Sequence, residues 1–326
     1  MKDIDLILLF SGVIAGAAPI LLATLGETLT EKAGFINLSL DGTILLSAMT
    51  AFVISFETGS TVAGLISACA VGALVAAVVA VLSIYLGQSQ VAIGFVLTLM
   101  TKDLAYFLGN PYSRLHGPQI LSMPIPLLSE IPVVGPIFFS HNFLVYISLA
   151  LIVISWWYIY MTPLGLKLRA AGEHPLAAFS RGSDPNRLQL VYAILGGVLV
   201  GAAGAAFSLF VKPGWGRPQG AEGTGWIALA LVIFGGWNPV RAAAGAYLFA
   251  FLQVIGIYLQ GSFSSVPAQV FQIAPFPLMI FTLLAISFAR SRSDLFIAEK
   301  HPFRKFLLDL FSGSAPSALG KPHRKE

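Results

Sequence analysis

Long apolar blocks separated by short polar punctuation dominate the sequence. Apolar runs cover residues 4–25, 61–86, 91–109, 142–161, 190–211, 242–259 and 273–289. Each is near the roughly 20 residues an α-helix needs to cross a hydrocarbon core of about 30 Å. A further run opens at Gly34, and a short one covers residues 227–236. The pattern predicts an all-α integral membrane protein with about nine transmembrane helices, eight to ten at the limits. The first run has the Lys2 and the small-residue stretch Ala15-Gly16-Ala17-Ala18 of a signal peptide. Asp3 and Asp5 spoil a basic n-region, however, and the run continues to spanning length, which predicts a retained helix.

Composition agrees: 56% of the 326 residues are hydrophobic and only 10% charged, with a mean hydropathy of +0.83. Water-soluble domains carry about a quarter charged residues, so this chain cannot cover itself in water. Cys69 is the single cysteine, which excludes a disulfide framework and a thiolate metal site.

The polar interruptions hold the information. In GETLTEKAGFINLSLDG, residues 26–42, Thr28 and Glu31 have capping-box spacing and predict a short turn. Gly34 then opens a second span whose first half bears Asn37, Ser39 and Asp41. A charge at bilayer depth costs about 2.5–3.5 kcal/mol, so this face is expected to avoid lipid. The alternative places Asp41 shallow, facing water near the cytosolic interface. The fourth span contains Thr98, Thr101, Lys102 and Asp103, and residues 110–141 are too proline-rich for a regular helix. Trp156, Trp157, Tyr158 and Tyr160 form an aromatic belt at the end of the fifth span. Gly197-x-x-x-Gly201 in the sixth permits close helix packing. A glycine-rich loop follows at 213–226, and Trp237-Asn238-Pro239 breaks the next helix.

The longest water-loving interruption between the central apolar runs is residues 162–189. It contains a miniature helix: Pro175 suits the first helical position, Glu173 and Arg181 complement the dipole, and Gly182 offers a left-handed stop. Leu176 and Phe179 share one face. Such a segment is built to dock on another protein, or else is a solvated loop that fixes topology by its charge. Of the nineteen Lys and Arg, only Lys2, Lys102, Arg114, Lys212 and Arg217 fall outside the cytosolic set when the N-terminus is outside and the C-terminus inside. The chain therefore reads as a transmembrane domain over 1–290 and a basic cytoplasmic tail over 291–326.

Catalytic chemistry is missing from the pattern. GSAPSALGK, residues 313–321, has the wrong spacing for a phosphate loop and is followed by Pro322. The five histidines are scattered, so no catalytic residue, metal site or cofactor is expected, and the chain is not an enzyme. Basic residues sit in short loops and a tail, which excludes a nucleic-acid partner.

GETLTEKAGFINLSLDG, GLKLRAAGEHPLAAFSRGSDPNR and GTGWIALALVIFGGWNPVRAAAGA together resemble the permease subunits of ABC importers for simple sugars and nucleosides, which are related to the ribose and branched-chain amino acid permeases. The likeness is closest to the shorter nucleoside-type permease. It implies an inner-membrane pathway for a nucleoside or simple sugar, shared with a second permease in a heterodimer. It also implies two cytoplasmic ABC ATPase subunits, an extracytoplasmic solute-binding protein and a surround of membrane lipid. The segment matching the family's coupling helix supplies the ATPase-coupling residues: Arg169, Ala170, Ala171, Gly172 and Glu173, then His174, Pro175, Leu176, Phe179, Arg181 and Gly182. His174 departs from the asparagine usual there; Asp41 replaces a usual glutamate, and Thr98 a common asparagine. Expected pathway residues are Asn37, Ser39, Asp41, Thr98 and Asn238, and the 213–226 loop is expected to meet the binding protein. The runner-up reading is an ion-coupled secondary transporter using Asp41 and Lys102/Asp103. A non-transporting membrane scaffold is the third.

Overall fold

A computed structural model of the chain describes residues 6–262, positions 270, 277, 280, 281 and 284, and residues 313–321. The expected span at 273–289 and most of the tail lie outside the described residues. Among the described residues all regular structure is helical, and seven helices are long and apolar enough to cross a membrane.

Helix α1 (Leu6–Lys32) runs unbroken through the stretch expected to form a separate turn. Thr24, Thr28 and Thr30 turn their hydroxyls back onto the carbonyls of Ile20, Thr24 and Gly26 at 2.7, 2.7 and 3.0 Å, so each is satisfied within the helix. Thr28 is thereby spent inside the helix and caps nothing. The stop comes at Gly34, whose φ of 89° only glycine adopts freely. Gly34 N–H reaches Glu31 O and Phe35 N–H reaches Thr30 O, the paired bonds of a Schellman ending.

Side-chain caps open the next helices. Ser60 and Ser89 accept amides in the first turns of α3 (Thr61–Ile84) and α4 (Gln90–Gly109), which flank the hairpin from α2 (Leu40–Thr58). The 110–141 segment is irregular apart from a short 3₁₀ turn and α5 (Val134–Phe138), as its prolines require. Asn142 then caps α6 (Phe143–Met161).

The 162–189 interruption is more ordered than its polarity suggests. Thr162 caps α7 (Pro163–Glu173), a helix the sequence reading missed, and α8 (Pro175–Ser180) follows after a break at His174. Asp184 caps α9 (Pro185–Ala206), which continues as a π-helical turn over Phe207–Val211. The chain ends its described body with α10 (Thr224–Phe234) and α11 (Pro239–Ser262).

Helices α1, α2, α3 and α9 form the centre. A Cβ on Gly72 would overlap Gly197 O, and one on Gly201 would overlap Ala68 O, so α3 and α9 meet backbone to backbone. Gly26 and Gly196 bring α1 and α9 together in the same way. Among the described spans, α4 is the least buried.

Candidate functional site

Residues 34–39 are not helical, so α2 begins at Leu40 rather than at Gly34. This short stretch climbs along α4. Ile36 N–H donates to the Gln90 side chain at 2.9 Å, and Thr98 Oγ1 donates to Leu38 O at 2.7 Å. Gln90 and Thr98 are eight residues apart on a helix, which is about 12 Å of rise. The first turn of α2 therefore lies well inside the bundle, and a Cβ on Gly42 would collide with Thr98 O. Inside the stretch, Asn37 Oδ1 accepts Ser39 N–H at 3.1 Å and Ser39 Oγ at 2.6 Å. Ser39 Oγ also meets Thr43 Oγ1 at 3.3 Å.

A second interrupted element arrives at the same point. Helix α10 has only eleven residues, about 16 Å, half of what a span requires. Its first turn donates the Gly225 N–H to Asp41 Oδ1 at 3.2 Å. Asp41 is 4% exposed and caps a helix 184 positions away. The carboxylate sits at the positive end of α10, the place a charge is stabilised. Asn37, Ser39, Asp41 and Thr98 thus come together at one crossing. Asn238 does not join them: it lies at the α10–α11 break, beside Lys32, Glu173 and Arg241.

Two buried carboxyls escaped the sequence reading. Glu27 and Glu31, 1% and 4% exposed, lie one turn apart on α1 and against each other. Glu27 Oε1 accepts Asn37 N–H at 3.1 Å, and Glu31 accepts the Trp237 indole N–H. One pair of side chains therefore ties the 34–39 stretch and the α10–α11 break to the end of α1. The only sequence signal was two acids at i and i+4 in a stretch that reads as a loop.

At the same end of the molecule, α8 holds Leu176 and Phe179 at 72% and 47% exposure. Gly182 (φ 78°) closes the helix: its N–H reaches Phe179 O and Ser183 N–H reaches Ala178 O. Arg169 stacks over Tyr160 at 5.5 Å, while Gly172 packs against Lys32 O and Gly34. Ala170, Ala171, Gly172 and Glu173 form the last turn of α7, with His174 and Arg181 at the two ends of α8. Glu173 takes a hydrogen bond from Ser317 at 3.0 Å instead of serving the α8 dipole alone.

The opposite end carries a polar cluster built on the 212–223 loop. Burial alone would raise the Glu222 carboxyl, but hydrogen bonds from Tyr106 Oη and the Gln219 and Gly220 amides hold it below the ordinary value. Arg217 lies over the Tyr106 ring at 4.8 Å, and Tyr106 packs on Trp215 at 5.6 Å. Among the described residues no three His, Cys, Asp or Glu side chains are grouped to hold a metal.

Apolar spanning helices with two interrupted elements meeting at a buried polar crossing are the build of a multi-pass membrane transport protein. The particular family follows from comparison: residues 9–283 match the model described as branched-chain amino acid transport system / permease component, and the chain belongs to that family. It is 36% identical over 256 residues to a candidate glucose ABC transporter permease, TsgC13, of Haloferax volcanii, covering 77% of this chain and 78% of that one. It is 29% identical over 303 residues to the guanosine ABC transporter permease NupQ of Bacillus subtilis, covering 89% and 94%. It is also 29% identical over 285 residues to the nucleoside ABC transporter permease NupC of Lactococcus lactis, covering 83% and 88%. No solved structure matches the chain. Permeases of this family are transmembrane components and not themselves catalytic.

Proposed function

We propose that the chain is one of two permeases in an ATP-driven importer for a nucleoside or simple sugar. The observation that carries this reading is the crossing at Asp41. There a non-helical stretch and a half-length helix bring Asn37, Ser39 and Thr98 beside a carboxylate deep in the bundle. Discontinuous elements of this kind provide polar groups at membrane depth without exposing backbone to lipid. Because Asp41 already occupies the positive end of α10, the crossing suits a neutral hydroxylated solute better than an anion. Asn37, Ser39, Asp41 and Thr98 face the pathway; Asn238 acts at its cytoplasmic exit.

A second permease, in a heterodimer, covers α4. Asp103 lies on that helix's open face, where contact with lipid would cost about 2.5–3.5 kcal/mol. The N-terminus is outside and the C-terminus cytoplasmic, with a ninth span in 273–289 and the transmembrane domain ending near 290. The protein sits in the inner membrane. In this orientation Leu176 and Phe179 project into the cytoplasm, and the segment from Arg169 to Gly182 seats on one of two ABC ATPase subunits. The 213–226 loop receives an extracytoplasmic solute-binding protein.

The test is to purify the tagged chain from its own membranes and identify what accompanies it. An ABC ATPase and a second permease are expected. A chain that moves labelled guanosine or glucose in proteoliposomes with no ATPase present would overturn the reading.

A further inference from the structure

Residues 313–321, the stretch that imitates a phosphate loop, are laid along the end of the bundle that carries α8. Ser317 donates both its N–H and its hydroxyl to Glu173 Oε2, each at 3.0 Å. Ala318 N–H reaches Gly172 O at 2.9 Å, and Gly320 N–H reaches Gly34 O at 3.0 Å. Pro316 and Ala318 are buried. Gly313 lies so close to Gly236 that a Cβ on either would strike the other. Gly320 has φ 72° and seats beside Ile36, where a Cβ would come within 2.9 Å of that side chain. Backbone groups in a mere solvated tail would bond to water; here they are paired with two separate parts of the body and pack against a third.

Those three parts are the α7–α8 junction (Gly172–Glu173), the root of the 34–39 stretch and the α10–α11 turn at Gly236. The last two lead directly to the Asp41 crossing, one through the non-helical 34–39 stretch and the other through α10. We propose that residues 313–321 are a working strap of the coupling machinery, with Ser317 a positioning residue that holds Glu173. Displacement of α8 is passed through the strap to both elements that meet at Asp41. The proposal rests on the reading of α8 as the ATPase-docking helix. Its physical basis is a contiguous path of hydrogen bonds to Glu173, Gly172 and Gly34 and of close backbone packing on Gly236, a form in which coupling between sites can be carried.

The experiment uses the complete transporter with its ATPases, carrying Cys69→Ala and a reporter thiol at Leu38→Cys on the climbing stretch. Labelling by a methanethiosulfonate reagent is measured without nucleotide and after trapping with ADP and vanadate. In the intact chain trapping is expected to change the labelling rate on the order of tenfold. In a chain ending after residue 312 the ATPases stay bound but the change falls to less than about twofold. Ser317→Asp sets a second carboxylate against Glu173 and behaves like the shortened chain, and it decides the matter should the shortened chain not accumulate. Ser317→Thr keeps both donors and restores the response. Shortened and Ser317→Asp chains that respond like the intact one overturn the strap alone. An intact chain that retains no ATPase, or whose thiol ignores trapping, overturns the docking reading and the strap with it.

Discussion

The Asp41 carboxylate accepts the Gly225 N–H at 3.2 Å, so the first turns of α2 and α10 hold each other in place deep in the bundle. Helix α10 could not begin there alone, since its first amides would be left without partners away from water. Asp41→Leu strands the Gly225 amide and is expected to lower stability by about 1–3 kcal/mol. Asp41→Asn keeps an acceptor and should lose less than half of that. Thermal unfolding in lipid nanodiscs reads the difference. Equal losses for the two would mean that the charge, rather than the acceptor, does the holding.

Glu31 and Trp237 make the corresponding joint at the other end of α10. Trp237→Phe keeps an aromatic ring but removes the indole donor from a buried carboxyl and leaves a small void beside it. A penalty of about 1–3 kcal/mol is expected, measured by the same unfolding assay. A further Glu31→Leu change in that background should recover part of it, because replacing both partners by apolar groups leaves no unpaired polar atom.

Gly201 meets Ala68 O and the Cys69 backbone, whereas nothing lies within 4 Å of a Cβ placed on Gly16. Gly201→Leu should force α3 and α9 apart and cost about 1–3 kcal/mol or more. Gly16→Ala should be neutral or slightly stabilising through helix propensity. Yield and melting temperature in detergent separate the two.

Leu176 and Phe179 are large apolar side chains left 72% and 47% exposed on α8. Replacing Leu176 by alanine should leave the melting temperature unchanged while reducing ATPase recovery on co-purification by on the order of tenfold, since buried aromatic and aliphatic anchors typically dominate an interface. Unchanged recovery would remove α8 from the docking surface.

Glu222 gives the pH dependence of the 212–223 loop. Its folded carboxyl is held below the ordinary value, so the stability it contributes is fully present above about pH 4.3, the usual unfolded glutamate value. That contribution is lost as pH falls through the depressed folded value, because the unfolded chain takes up the proton first. Glu222→Gln should flatten the acid side of the melting-temperature profile between about pH 5 and 3. Profiles that stay parallel would show that the hydrogen bonds from Tyr106 and the amides are worth the same to the neutral form.

The apolar blocks alone determined that this is a helical membrane protein. Their length and composition leave lipid as the sole solvent compatible with the chain. The placement of most spanning helices was legible for the same reason, and so was a short capped helix at Pro175, because proline and glycine signals act through local backbone geometry. Local signals failed where partners are remote. Thr28 and Glu31 read as a capping box, yet α1 continues through them, since the helix supplies Thr28 with a carbonyl and tertiary packing supplies Glu31 with Trp237. Asn37 and Ser39 read as helical positions, yet Gly34 and the side chains of Gln90, Thr98 and Glu27 hold that stretch out of the helix. The tail segment looked like solvated basic sequence, and its backbone bonds to Gly34 and Gly172 could be seen only once the body was folded. Periodicity records which residues must leave water; which buried polar group meets which is decided by segments more than a hundred residues apart, and that information exists only in the assembled packing.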